Sequence, residues 1–155
     1  MAAVKKILVA IDFSKLSQEA LDYALGLAAD VGARVRVLYV VEPVEFSGVD
    51  VFGGAPIATQ SIVDEHLRQA RLEMKKLEQK RLAAVHGAKG EVRIGRPADE
   101  IVAAAGSGRG NLIVIGTHGR SGIAHLVMGS VAERVVRHAR CPVLVVPARD
   151  QAKPR

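Results

Sequence analysis

The stretch "NLIVIGTHGRSGIAHLVMGS", Asn111 to Ser130, is where the architecture of the chain can be read most directly. "NLIVIG" is an apolar, β-branched run of strand length. From Gly116 to Ser130 the chain then holds four glycines and three hydroxyl-bearing residues. At Ser130 a helical pattern, "SVAERVVRHA", begins. A strand, a glycine-rich exit and a helix start, in that order, form half of a βαβ unit. The loop is not a Walker loop, which needs lysine directly before the final hydroxyl residue; Met128 and Gly129 stand there instead. It carries no dinucleotide fingerprint either.

Four more runs resemble "NLIVIG": "KILVAI", "RVRVLYVV", "EVRI" and "CPVLVV". Helical spacing separates them. After the first run, Ala20, Ala24, Leu27 and Val31 define one helix face that stops at Gly32. From about Ile62, a second face reads Ile62, Val63, Leu67, Ala70, Met74 and Leu77, with lysines and arginines opposite. "RPADEIVAAAG" places proline at a first helical position, acids in the first turn and glycine at the stop. Strands alternating with helices predict a single-domain α/β fold around an open five-stranded parallel sheet. The expected strand order is 3-2-1-4-5, with helices on both faces. The segment Glu42 to Gln60 is too rich in Gly and Pro for a helix and is expected to be functional or mobile. Residues 1–148 are expected to form the domain and 149–155 a short polar tail.

The bulk properties agree. A chain of 155 residues, 49% hydrophobic and 25% charged, can bury a core of one domain. No run approaches the length of a membrane span. Asp12 interrupts the first apolar run too early for a secretory core, so a cytoplasmic location is expected. The lone Cys141 excludes an internal disulfide and is read as a small buried hydrophobe. A net charge of +6 and a pI near 9.8 favour polyanions in general without choosing one.

In open α/β sheets ligands bind outside the carboxyl ends of the strands, where strand order reverses. The first strand ends in "AIDFS", the second in "YVVE", the fourth in "VIGTHG". Glycine lets backbone approach a ligand closely, and successive N–H groups can cradle an anion. Gly116 and Gly119 leave the fourth strand, while Gly129 and Ser130 sit where a helix offers unpaired N–H groups. Ser130 adds a hydroxyl and Arg120 a cation. A plainer reading competes: Ser130 and Glu133 spell a capping box, which would hold the helix start with no ligand. Asp12 could likewise be a turn residue bonding its own backbone.

The spacing G-x2-G-x9-G-[ST], met by Gly116, Gly119, Gly129 and Ser130, resembles the ATP-binding signature of the universal stress protein family. The likeness extends to "ILVAIDFSKLSQEALDYALGLA", "VLYVVEP", "GRPADEIVAAA" and "GSVAERVVRHARCPVLVV". It is weakest from Glu45 to about Lys89. The resemblance implies a Rossmann-like sheet of the adenine nucleotide alpha hydrolase-like type. It implies nucleoside contacts from Ala10 and Asp12 and an adenine contact through the backbone of Val40. Ribose and phosphates would be held by Gly116, Thr117, His118, Gly119 and Arg120, and by Gly129, Ser130 and Val131. It also implies a homodimer through the last strand. Asn111 departs from the family's common pattern, where an acid often precedes strand four.

The expected ligand is ATP, with Mg²⁺ carried by the nucleotide, in a regulatory protein whose occupancy changes its association with an unknown protein partner. A slow Mg²⁺-dependent ATPase is the alternative. No obvious water-positioning group sits in the glycine loop, so no catalytic residue and no protein metal site is assigned. Nucleic acid is not an expected partner, because aromatics make up only 3% of the chain. The basic helix around "RQARLEMKKLEQKR" interleaves Glu73 and Glu78 with its cations, as a solvated face does. No membrane partner is expected.

Overall fold

The structure, a computed structural model, describes residues 3–43, 57–117 and 128–147. The elements run β1 (Lys6–Ile11), α1 (Lys15–Val31), β2 (Arg34–Val41), α2 (Ile57–Leu77), β3 (Lys89–Ile94), α3 (Pro97–Ala105), β4 (Asn111–Gly116), α4 (Ser130–His138) and β5 (Val143–Val146). The five strands pair in parallel, in the order β3-β2-β1-β4-β5. The expected architecture is therefore the one found. No helix among the described residues is long and apolar enough to cross a membrane.

Strand alternation divides the core into two halves. Ile7, Val9, Ile11, Val35, Val37, Leu112 and Val114 face α1 and α2. Leu8, Ala10, Leu38, Val40, Ile113 and Ile115 face α3 and α4. Since both faces of the inner strands are buried, their sequences read as continuous apolar runs. The chain moves outward from β1 through β2 to β3, then crosses back to place β4 on the other side of β1. Helices α1 and α4, which follow β1 and β4, consequently pack on opposite faces, and a crevice opens between the carboxyl ends of those two strands.

Helix α1 begins at Ser14, whose side chain accepts a bond from Ser17 N, and ends at Gly32 in the left-handed conformation (φ +67°). Its buried face is Ser17, Ala20, Leu21, Ala24 and Ala28. This corrects the expected stripe: Val31 is 46% exposed and Leu27 only packs against the core edge. Nothing lies within 4 Å of where a Cβ on Gly32 would stand. Gly32→Ala should therefore cost only the left-handed backbone penalty, about 1 kcal/mol, seen as a lower denaturation midpoint with unchanged m-value.

Helix α2 starts at Ile57, five residues before the expected position, and continues through a π-helical turn, Glu78–Leu82. The end of the Glu42–Gln60 segment is thus helical, while 44–56 lie outside the described residues. Strand β3 begins at Lys89 and not at Glu91. Gly90 is required there, because an added Cβ would stand 2.5 Å from Met74 Sδ. Helix α3 has Pro97 in its first turn and Gly106 at its end, as expected. Cys141 is half-buried beside the α3–α4 core, where burial pushes its thiol up. Strand β5 begins at Val143, after Pro142. The boundary at 148 and the tail 149–155 lie outside the described residues.

Candidate functional site

The loop after β1 is built by a closed set of hydrogen bonds. Ser14 N donates to Asp12 Oδ1 at 3.0 Å, and Asp12 N donates to Ser17 Oγ at 3.2 Å. Ser17 N donates to Ser14 Oγ at 3.2 Å, and Ser17 Oγ donates to Ser14 O at 3.0 Å. Ser17 is only 4% exposed, so these partners satisfy a hydroxyl removed from water. Between them Phe13 takes φ +63°, the one positive φ outside glycine among the described residues. That conformation costs roughly 1–2 kcal/mol. The Phe13 ring offsets it against Tyr39 of β2, with centroids 4.8 Å apart and planes tilted 50°. Asp12 does form the local turn that its plainer reading predicted. A carboxylate has about four lone-pair sites, so this bond does not consume it.

The exit from β4 is tied at both sides. Thr117 N donates to Val146 O of β5 at 3.0 Å, and Thr117 O accepts from Gly129 N at 2.6 Å. The end of β4 and the start of α4 are thereby held together. The residue at the N-cap is Gly129 (φ −60°, ψ 150°), with no side-chain cap, and Ser130 is already helical. The expected capping-box alternative is thus not formed: Glu133 turns to Arg137, 2.7 Å away. Glu133 N makes the first helical bond, to Gly129 O. The amides of Ser130, Val131 and Ala132 have no intrahelical acceptor, and the helix dipole adds positive character there.

These elements enclose a cavity of about 340 Å³ at the carboxyl ends of β1, β2 and β4. Its inner wall is apolar: Ala10, Leu38, Ile101 and Ile115 are none of them more than 7% exposed. Asp12, Ser17, Tyr39, Thr117 and Ser130 supply its polar atoms. Among the expected site residues, the cavity brings together Ala10, Asp12, Val40, Gly116, Thr117, Gly129, Ser130 and Val131. His118, Gly119 and Arg120 lie outside the described residues. The sequence reading missed Ser17, Leu38, Tyr39, Pro97, Ile101 and Ile115. Ile101 was within reach, because Ala98, Ile101 and Ala105 are spaced as a buried face of α3. Ser17 gave a fainter signal, as the third residue of the first helix.

No group of three or more His, Cys, Asp or Glu side chains among the described residues could hold a metal ion. Among the described residues, Asp12 is the only acid lining the cavity. The arrangement offers an apolar slot for a flat ring, a carboxylate for hydroxyl groups and oriented amides for an anion.

The profile of the universal stress protein family matches residues 3–147. A universal stress protein of Methanocaldococcus jannaschii is 37% identical over 142 residues, covering 92% of this chain and 81% of that protein. Among solved structures, the universal stress protein UspA of Lactobacillus plantarum is similar with a TM-score of 0.76 at 27% identity, covering 94% of this chain and 99% of that one. A universal stress protein in complex with cAMP is similar with a TM-score of 0.59, also at 27% identity, covering 94% and 98%.

Proposed function

The chain belongs to the universal stress protein family, and from that premise we propose that it binds ATP in the cavity at the carboxyl ends of β1, β2 and β4. The observation that carries this reading is the meeting, at the crevice where strand order reverses, of an apolar inner wall with the unpaired amides that begin α4. The adenine ring lies against the wall and is read through the backbone of Val40. Asp12 accepts from the ribose, and the phosphates take the amides of Ser130 and Val131 together with the loop Gly116 to Arg120. That a similar protein was solved in complex with cAMP supports an adenine nucleotide as the ligand. Mg²⁺ arrives on the phosphates, since it binds readily through them and keeps much of its water.

The role is regulatory: occupancy changes how the domain, residues 1–148, associates with a protein partner in the cytoplasm. The same proposal includes a homodimer through β5. Phosphoryl transfer needs a group placing the nucleophile besides charge neutralisation. The described lining provides a single acid, Asp12, with no second acid beside it. Steady-state turnover of Mg²⁺-ATP should therefore lie far below the median enzyme rate of about 10 s⁻¹. Phosphate release at that rate, lost in Asp12→Ala or Arg120→Ala, would place the protein among the hydrolases.

A further inference from the structure

One strand length from the nucleotide cavity, roughly 20 Å for six residues, the amino ends of β1, β2 and β3 surround a second cavity of about 400 Å³. Lys6, Arg34, Arg36 and Lys89 line it, and no acid among the described residues does. The register puts Lys6 beside Arg34 and Arg36 beside Lys89. Paired residues share a face, and Arg34 and Arg36 are two apart on β2. All four cations therefore project on one face of the sheet, the α3 side. Like charges side by side on a sheet face repel and destabilise it.

Structural duties account for only one of the four. Arg36 Nη2 donates to Ala104 O at the end of α3, and Arg36 Nε lies 3.6 Å from Glu91. Glu91 is shared with Arg93, at 2.5 Å. The next α3 carbonyl, Ala105 O, already accepts from Asn111 Nδ2 at 2.6 Å. The helix end thus has the partners it needs. Lys6, Arg34 and Lys89 have no ion-pair partner among the described residues. The Arg34 side-chain stem passes over Gly87 (φ +74°), 3.3 Å from where a Cβ on that glycine would stand.

We propose that this cavity binds a small oligophosphate, whose charge relieves the repulsion among Lys6, Arg34 and Lys89. Its size falls within the range of small-molecule sites, about 300–1,000 Å³. No aromatic among the described residues lines it for a base to stack on, so the phosphate chain is the part recognised. The same chemistry could come from a free oligophosphate or from the phosphate chain of a nucleotide.

The test is calorimetric titration with tripolyphosphate of the parent chain, of Gly129→Leu and of the double variant Arg34→Ala/Lys89→Ala, the last also combined with Gly129→Leu. Saturable binding is expected in the parent, and one-to-one binding in Gly129→Leu, whose other cavity is obstructed, with affinity in that background lower by at least about tenfold once Arg34→Ala/Lys89→Ala is added. ATP titrated into Gly129→Leu, with and without Arg34→Ala/Lys89→Ala, separates the two sources: binding that is lost with those cations assigns a nucleotide's phosphate chain, and no binding assigns a free oligophosphate. Without ligand, the double variant should melt no lower than the parent, because a repulsion has been removed; a structural role for these cations would lower it. The proposal is overturned by no saturable binding to the parent at about 1 mM, by equal affinity once Arg34→Ala/Lys89→Ala is added to Gly129→Leu, or by preferred binding of single-stranded DNA at equal phosphate concentration.

Discussion

Gly129→Leu is expected to abolish ATP binding at the carboxyl ends of β1, β2 and β4 while leaving the fold intact. Gly129 sits at φ −60°, ψ 150°, a conformation open to any residue, so leucine brings no backbone strain. Its N–H can still reach Thr117 O. What changes is the space, because a four-carbon side chain is added to a residue lining a cavity of about 340 Å³. The first amides of α4 adjoin that side chain, so the phosphates lose their approach. Affinity should fall by about 100-fold or more, equivalent to about 2.7 kcal/mol. Calorimetry reads the loss, and circular dichroism should show a melting temperature within a few degrees of the parent's. Unaltered ATP affinity in this variant would reduce the glycine to a structural role.

Val145→Pro should dissociate the proposed dimer. The two edges of the sheet differ in their protection. On β3, Glu91 and Arg93 are ion-paired and Lys89 is exposed, which discourages pairing with another chain. Strand β5 presents Val143 to Val146, all apolar and all half-buried in a single chain. Pro142 O and Val146 O both accept from β4, so the alternation of the strand turns Leu144 N–H inward and Val145 N–H outward. Proline at 145 removes an outward donor and spares the ladder with β4. A two-fold axis would pair β5 with its own copy antiparallel, so the loss occurs twice per dimer. Sedimentation should show monomer at concentrations where the parent is dimeric. A parent that is itself monomeric at those concentrations would remove the dimer from the proposal.

Where side-chain chemistry is uniform along an element, the sequence was an accurate guide. Lys6–Ile11, Arg34–Val41 and Asn111–Gly116 match their apolar runs residue for residue, because a strand buried on both faces needs little else. Legibility failed where partners distant in sequence decide. Lys89 and Gly90 look like a turn, but Glu78 Oε1 accepts from Gly90 N at 2.8 Å and Met74 packs over the glycine, drawing both into β3. Val31 fits the helical spacing of α1, yet the sheet ends before it and leaves it exposed. The site was legible in its glycines, hydroxyls and acid, which advertise backbone chemistry. Its apolar wall was not, since Leu38, Ile101 and Ile115 look like any other core residue until topology turns them toward one crevice. Ser130 with Glu133 spelled a cap that the structure does not make, because the helix takes Gly129 as its N-cap and Ser130 falls inside its first turn.

The most direct test is an amide-resolved NMR titration of the 16.5 kDa chain with Mg²⁺-ATP, after unfolding and refolding to remove any bound nucleotide. One saturable transition is expected, with shifts concentrated at Asp12, Val40, Gly116, Thr117, Ser130 and Val131. Amides at those positions that stay unmoved up to about 1 mM ATP would contradict a nucleotide site at the carboxyl ends of β1, β2 and β4.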